Sequence, residues 1–244
     1  MPSPDFYVPN RATETELPEY STNAREVYQL IHDEMSLDFN PLQNLASFVT
    51  TWMEPEAVQL VQDSLSKNFA DQNQYPHTLA LQDRCVNIIA NLFNSPSEKG
   101  IGTNCVGSSE ALMLGALAMK KKWMKTRKEQ GKPYHEPNIV MCSTVQIAWK
   151  KFCNYFDVDI KITNVSRDVF TLDPVQAIAL VDENTIGVVA VLGSTYTGHY
   201  DPIKELNDRL VALNQEKGWN VGIHVDAASG GFVAPFLNPE LEWD

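Results

Sequence analysis

An aspartate near the end of this sequence stands where a carboxylate can do chemistry. Asp226 ends the apolar stretch "VGIHVD", which has the pattern of a short strand, and the small residues "AASGG" follow it. A carboxylate there could pair with a protonated ring nitrogen, because an opposite charge at contact range favours the charged form. A metal site is the alternative, since His224 and Asp226 share one face of a strand, although the other histidines show no ligand spacing.

A second candidate is the start of a long helical segment in "VGSSEALML". Gly107, Ser108 and Ser109 would offer free backbone N–H groups, two hydroxyls and the positive end of the helix dipole, which together bind a phosphate monoester. The alternative is an ordinary serine N-cap. The basic run "KKKWMKTRK" at the far end of this segment is interpreted as a solvated helix end.

A third candidate follows the apolar stretch "TIGVVAVL". This predicted strand delivers Gly193, Ser194 and Thr195, whose hydroxyls could contact a bound ring or phosphate, and a plain turn is the alternative. The sequence contains neither a G-x-S-x-G elbow nor the nucleotide-binding glycine motifs. Taken jointly, the three candidates describe one ligand with a phosphate and a protonated ring nitrogen.

The elements that must position these groups alternate between strands and helices from residue 138 onward. Such alternation predicts an α/β fold with a mostly parallel sheet covered by helices on both faces, whose ligands lie beyond the carboxyl ends of the strands. An extended arm over residues 1–20 and a helix over residues 23–35 are predicted upstream, followed by two more helical stretches. The predicted strands are "NIVMCS", "VDIKITNV", "TIGVVAVL" and "VGIHVD".

Composition narrows the class of partner. The formal net charge of -12 argues against nucleic acid or an anionic membrane surface as the main partner. No apolar run reaches the roughly 18 residues that span a bilayer, and the N-terminus lacks the pattern of a secretory signal. The four cysteines form no C-x-x-C pair, so we interpret them as reduced thiols and expect a cytoplasmic protein.

With these residues in view, the sequence resembles the glutamate decarboxylases of plants, fungi and bacteria, which are pyridoxal 5'-phosphate (PLP) enzymes. The resemblance implies an aspartate-aminotransferase-like large domain over residues 46–244, preceded by an N-terminal arm and helix over residues 1–45. It rests on blocks that occur in the family's order: "NLASFVTTWMEPE", "RCVNIIANLF", "VGSSEALML", "DENTIGVVAVLGSTYTG" and "HVDAASGGFVAPFL".

The resemblance also implies cofactor-binding roles for five residues. Ser108 and Ser109 would hold the cofactor phosphate, and Asp226 would pair with the pyridine nitrogen. Thr195 would contact the side of the ring that carries its oxygen. Gln146 would lie against the ring face, where related decarboxylases for aromatic amino acids and histidine usually have a histidine.

The same resemblance implies the reaction and the partners. L-Glutamate would lose its α-carboxyl group as CO2 to give 4-aminobutanoate (GABA), in a homo-oligomer whose active site is shared across a dimer interface. Four residues would contact the substrate: Ser47, Phe48, Asn68 and Asp71. Ser47 departs from the threonine of the bacterial pattern but keeps a hydroxyl group.

The family's Schiff-base lysine is expected beyond Asp244, because no lysine follows Lys217 in this sequence. We therefore expect an N-terminal portion that lacks the small C-terminal domain and is inactive alone. Two alternatives stay open: a non-catalytic truncated relative that associates with full-length subunits, and another PLP-dependent amino-acid decarboxylase or lyase. A plain α/β domain without a cofactor is the least specific alternative.

Overall fold

The computed structural model describes residues 20–43, 52–96 and 99–242. It divides the chain into two compact units, Met1–Trp52 and Met53–Asp244. Ser47 and Phe48 lie outside the described residues, so their expected roles stay predictions. The assignment of residues 1–45 and 46–244 to an arm and a cofactor domain also stays a prediction.

The first unit contains the helix expected near residue 23. Helix α1 spans Ala24–Met35, and the side chain of Asn23 caps it by accepting a hydrogen bond from the Arg25 backbone N–H at 2.9 Å. A short 3₁₀ turn follows at Pro41–Gln43.

The second unit alternates strands and helices as the sequence predicts. Gly218 ends α7 in the left-handed conformation, with φ of 67°, that favours glycine. Among the described elements of this unit, only the four-residue helix α8 was not predicted from the sequence. The elements are α2 (Pro55–Ser64), α3 (Pro76–Leu92), α4 (Ser108–Glu129), β1 (Asn138–Cys142), α5 (Ile147–Tyr155), β2 (Asp159–Thr163), α6 (Pro174–Leu180), β3 (Thr185–Val191), α7 (Ile203–Lys217), β4 (Gly222–Asp226) and α8 (Ala234–Leu237).

The four strands form one parallel sheet in the order β2-β1-β3-β4. Strands β1 and β3 occupy the centre and are buried along their whole length, whereas β2 and β4 form the edges. Continuous apolar strands of this kind are typical of parallel sheets with both faces covered. The predicted parallel sheet is therefore confirmed.

Each face of the sheet packs against its own pair of helices. Ile139 and Met141 of β1 point to the face covered by α4 and α5. Val140 and Cys142 alternate with them and point to the face covered by α6 and α7. Burying each large apolar side chain stabilises the fold by about 1.5–3 kcal/mol, so the helices on both faces, as predicted, supply much of its stability.

The basic end of α4 differs from its interpretation as a solvated segment. Arg127 is buried, with its Nε donating to the Pro133 carbonyl at 2.7 Å and its Nη1 donating to the Glu183 carboxylate at 2.8 Å. The interpretation was wrong for this residue because its partner lies far away in the sequence. In the three described ranges, no helix is both long enough and apolar enough to cross a membrane.

A polar network ties the amino ends of three strands together. The carboxylate of Asp182, just before β3, accepts hydrogen bonds from the Lys161 ammonium at 2.6 Å, the Asn138 amide at 2.8 Å and the Asn184 backbone N–H at 2.9 Å. The Thr185 hydroxyl bridges to the Asn138 side chain at 2.7 Å. This edge of the sheet is therefore stabilised by internal contacts.

Replacing Asp182 with asparagine is expected to lower the free energy of unfolding at neutral pH by roughly 1 kcal/mol, since the carboxylate is half exposed. Burial acts to raise the pKa of Asp182, but hydrogen bonds from Lys161 and Asn138 outweigh it and hold the pKa below the ordinary value of 3.8. The carboxylate thus stabilises the fold above pH 3.8, and this contribution is lost as the pH falls through the lower folded-state pKa. Denaturant unfolding of both proteins across this range checks the prediction, and a difference that does not vary with pH would contradict it.

Candidate active site

The start of α4 lies at the carboxyl edge of the sheet. Gly115 of α4 packs against His224, because a Cβ atom on Gly115 would lie 2.6 Å from His224 Cε1. One turn later, the Met119 side chain lies against Gly187, which pairs with Gly222 at the amino end of β4. From its first residue onward α4 therefore runs toward the amino ends of the strands, and its N-terminus is directed at their carboxyl ends.

The first turn of α4 has the properties of an anion site. Gly107 is the N-cap and provides no side-chain hydrogen bond, while Ser108 and Ser109 are the first two helical residues. The alternative of a serine N-cap is thus wrong. Both serines are exposed, and Glu110 turns back to accept from the Val106 backbone N–H at 2.9 Å. Uncapped N–H groups, two hydroxyls and the dipole of a 22-residue helix favour a bound anion here.

Gln146 lies between β1 and α5, at the same edge. It is the N-cap of α5, and its side-chain carbonyl accepts from the Ala148 backbone N–H. Trp149 follows one turn later, and its backbone N–H donates to the Gln146 carbonyl at 3.1 Å. The cap and the first turn of α5 therefore carry both residues.

Asp226 ends β4, as the sequence predicts, and it contacts Trp149 directly. The indole Nε1–H of Trp149 donates to Asp226 Oδ2 at 3.0 Å, across 77 positions of sequence. The other carboxylate oxygen, Oδ1, accepts from the Ala228 backbone N–H at 3.4 Å. Hence α5 and β4 bring the neighbourhoods of Gln146 and Asp226 together.

His224 shares its strand face with Asp226, but its ring packs against Trp149 and does not form part of a metal site among the described residues. Its ring meets the Trp149 ring edge-on, with centroids 4.7 Å apart and planes at 81°. Burial lowers the pKa of His224, and the nearby Asp226 carboxylate offsets this only in part. Across the described ranges, no group of three or more histidine, cysteine, aspartate or glutamate side chains could hold a metal ion.

The loop after β3 is closed by its own backbone and carries Thr195. Leu192 and Tyr200 form an antiparallel bridge, and the Ser194 backbone N–H donates to the His199 carbonyl at 2.9 Å. Thr195 is partly exposed at the start of the resulting turn. The hydroxyl-bearing segment is therefore held in a fixed loop at the carboxyl edge.

Two glycines join this loop to the one that follows Asp226. Gly193 has φ of 95°, and a Cβ atom on it would lie 2.9 Å from the Gly230 nitrogen. The Gly230 N–H donates to the Leu192 carbonyl at 2.9 Å, and the Leu192 N–H donates to the Asp226 carbonyl at 2.9 Å. The small residues after Asp226 thus permit a close approach of two backbones.

Two residues at this edge were missed by sequence reasoning. No spacing pattern in the sequence indicates that the Trp149 indole donates a hydrogen bond to Asp226. Asp201 is buried and accepts from the Leu172 backbone N–H at 2.8 Å and the Val191 backbone N–H at 2.7 Å, which fixes the end of β3. Burial raises the pKa of Asp201 even though these two hydrogen bonds act to lower it. Only its place just after the "TYTGHY" loop could have drawn attention to it.

The expected substrate residues Asn68 and Asp71 lie upstream of the sheet in the sequence, between α2 and α3. Both are exposed in the turn between α2 and α3, where Asn68 Oδ1 accepts from the Ala70 N–H at 3.2 Å and Asp71 Oδ1 accepts from the Asn73 N–H at 3.1 Å. These bonds shape the turn. No hydrogen bond within the described part of the chain links either residue to the strand ends.

Comparison with known proteins agrees with this arrangement. Glutamate decarboxylase 2 of Arabidopsis thaliana is 54% identical over 243 aligned residues, covering 96% of this chain and 49% of that protein. Glutamate decarboxylase of Aliivibrio fischeri is 44% identical over 229 residues, covering 93% of this chain and 49% of that protein. The solved structure of Lactobacillus brevis CGMCC 1306 glutamate decarboxylase superposes with a TM-score of 0.88 at 43% identity, covering 95% of this chain and 53% of that one.

These matches confirm the resemblance to glutamate decarboxylases and the PLP-dependent decarboxylase fold. The chain spans about half the length of the curated relatives it matches. The family described as the pyridoxal-dependent decarboxylase conserved domain matches residues 18–243. Since that match covers more than half of the chain, the chain belongs to the pyridoxal-dependent decarboxylase family.

Proposed function

We propose that this chain provides the cofactor-binding half of an enzyme that decarboxylates L-glutamate to GABA and CO2. The observation that carries the proposal is the convergence of three features at one sheet edge. These are the uncapped start of α4, the strand-end carboxylate of Asp226 and the fixed loop that carries Thr195. Ligands of parallel α/β sheets bind at this edge.

The chemistry of these groups fits PLP. The α4 N-terminus, with Ser108 and Ser109, suits a phosphate, and Asp226 suits a protonated pyridine nitrogen. Thr195 would contact the side of the ring that carries its oxygen, and Gln146 would lie against the ring face. When bound, PLP supplies the electron sink that makes loss of CO2 from an amino acid feasible.

Each of these cofactor-binding residues then either binds the cofactor or keeps a proton on it. Ser108 and Ser109 hold the phosphate and so orient the ring. Asp226 keeps the proton on the ring nitrogen, because a carboxylate at contact range stabilises the protonated form. Gln146 covers one ring face and excludes water from it. Since α4, α5 and β4 pack directly on one another, these groups are held in place before the cofactor arrives.

Glutamate is the proposed substrate because curated relatives that are 54% and 44% identical over this segment are named glutamate decarboxylases. Asn68 and Asp71 are exposed and accept hydrogen bonds from within their own turn, and we place them in a substrate site shared across the dimer interface of a homo-oligomer. We place Ser47 and Phe48 in the same substrate site. Four free cysteines support a cytoplasmic location.

A chimera tests the proposal. Residues 20–242 of this chain would replace the aligned part of the Lactobacillus brevis enzyme, and the purified protein would be assayed with carboxyl-labelled amino acids. Release of CO2 with formation of GABA from glutamate is expected. Decarboxylation of a different amino acid would overturn the substrate. A chimera that binds PLP but releases no CO2 from any amino acid would favour the non-catalytic alternative.

A further inference from the structure

The contact between Trp149 and Asp226 points to a role for a residue outside the expected cofactor set. We propose that Trp149 is the positioning residue of Asp226, whose carboxylate it fixes in orientation for the cofactor's ring nitrogen. This inference rests on the proposed function, since it concerns the same site. It adds a group that does not itself touch the cofactor.

The hydrogen bond between the two side chains is of the strong type. Trp149 Nε1 lies 3.0 Å from Asp226 Oδ2, and the acceptor is a carboxylate. The other bond to this carboxylate, from the Ala228 N–H to Oδ1, is longer at 3.4 Å. Without Trp149, the longer Ala228 bond would restrain the terminal torsion of Asp226 only weakly. Trp149 therefore determines which oxygen is engaged and which is left for a ligand.

Trp149 is itself held rigidly. It is fully buried and meets Phe152 and His224 edge-on, with ring centroids 6.4 Å and 4.7 Å away. His224 is in turn backed by Gly115, where a Cβ atom would collide with the imidazole. A buried indole N–H needs an acceptor, and Asp226 provides it. A continuous line of contacts thus runs from α4 through two rings to the carboxylate.

The position of Trp149 on α5 couples two parts of the proposed site. Gln146 caps the same helix one turn earlier, so one short rigid segment carries both the expected ring-face residue and the support of the carboxylate. Any shift of α5 would move both groups together. The first turn of α5 therefore fixes the spacing between Gln146 and the side chain that supports Asp226.

Nuclear magnetic resonance of the 244-residue chain without cofactor gives a direct test. The sequence contains five tryptophans, so five indole N–H signals are expected. One signal should lie downfield because of its bond to a carboxylate, and Asp226→Asn should move it upfield. If none of the five signals responds to Asp226→Asn, the contact does not exist and the proposal is overturned.

Binding of pyridoxamine 5'-phosphate, measured by calorimetry on the same chain, tests the role. Trp149→Phe removes the donor and is expected to weaken binding roughly tenfold, whereas in the Asp226→Asn background it should have little further effect. Trp123→Phe is the matched control, since it removes an indole N–H that donates to the Glu183 carbonyl at 3.0 Å, next to the amino end of β3. Trp123→Phe should leave the affinity for pyridoxamine 5'-phosphate within about twofold of that of the unsubstituted chain.

The outcomes separate this inference from the proposed function. Equal weakening by Trp149→Phe in both backgrounds would show a packing role and overturn the positioning role. If the folded wild-type chain binds no pyridoxamine 5'-phosphate, the proposed function fails, and the indole signal still decides whether Trp149 holds Asp226. Should Trp149→Phe fail to fold, the response of that signal to Asp226→Asn carries the test alone.

Discussion

Replacing Asp226 with asparagine in the chimera is expected to lower glutamate decarboxylation by about 10²–10⁴-fold. The substitution keeps the size of the side chain but removes the charge that would hold a proton on the cofactor's ring nitrogen. Breaking a buried ion pair costs about 3–5 kcal/mol, which corresponds to this range of rates. The turnover number at saturating glutamate and saturating PLP measures the effect.

Asp208→Asn is the control for this substitution. Asp208 lies exposed on α7 and pairs with Lys204 at 3.4 Å one turn away. Surface pairs of this kind contribute little, so the control should stay within about twofold of the parent. An Asp226→Asn chimera that binds PLP and keeps its activity within about threefold would remove Asp226 from the proposed role.

Gly230→Ala is expected to destabilise the 244-residue chain by about 2–4 kcal/mol, which combines overpacking with a weakened hydrogen bond. A Cβ atom on Gly230 would collide with the Leu192 carbonyl oxygen and lie 2.8 Å from its carbonyl carbon. The colliding atoms belong to the backbone, so no side-chain rotation can relieve the contact. The loop of Thr195 and the loop after Asp226 would have to separate.

Gly222→Ala provides a matched control for the glycine. Gly222 begins β4, whereas Gly230 lies in the turn after the other end of that strand, and a Cβ atom on Gly222 would meet nothing within 4 Å. Its effect on the free energy of unfolding should stay within about 0.5 kcal/mol. Denaturant unfolding of both variants checks the difference. Equal stability of the two would mean that the close approach of the loops contributes nothing to the fold.

The amino ends and the carboxyl ends of the strands differ in their polar groups. At the amino edge, the Asp182 carboxylate is satisfied by Lys161 and Asn138 within the fold. At the carboxyl edge, the first turn of α4 keeps exposed hydroxyls and uncapped N–H groups. Groups that are satisfied internally stabilise the chain, whereas groups left without internal partners are available to a ligand. This contrast supports binding at the carboxyl edge.

Much of the fold could be predicted because its signals are local. Apolar runs such as "TIGVVAVL" and helix ends such as Gly218 depend on neighbours within a few residues. Helix α8 was missed because four residues containing a proline give no periodic signal. Arg127 was misjudged since its partner Glu183 lies 56 positions away, beyond the reach of any local pattern.

In the candidate site, too, the features with local signals could be predicted and those that depend on long-range contacts could not. The position of Asp226 could be predicted from a strand followed by small residues, and that of Ser108 from a helix start. What holds Asp226 could not be predicted, because the donor on Trp149 lies 77 positions away and depends on how α5 packs against β4. The side chain of Gln146 likewise caps its own helix, a detail that depends on local backbone geometry.

The most direct test of the central claim is calorimetric titration of the 244-residue chain with pyridoxamine 5'-phosphate, which needs no lysine to bind. Saturable binding of one molecule per chain is expected. Pyridoxamine without the phosphate should bind more weakly, as should the phosphate compound to a Ser108→Ala, Ser109→Ala variant. A chain that is folded by circular dichroism but shows no saturable binding would contradict a cofactor site at the carboxyl edge of this sheet.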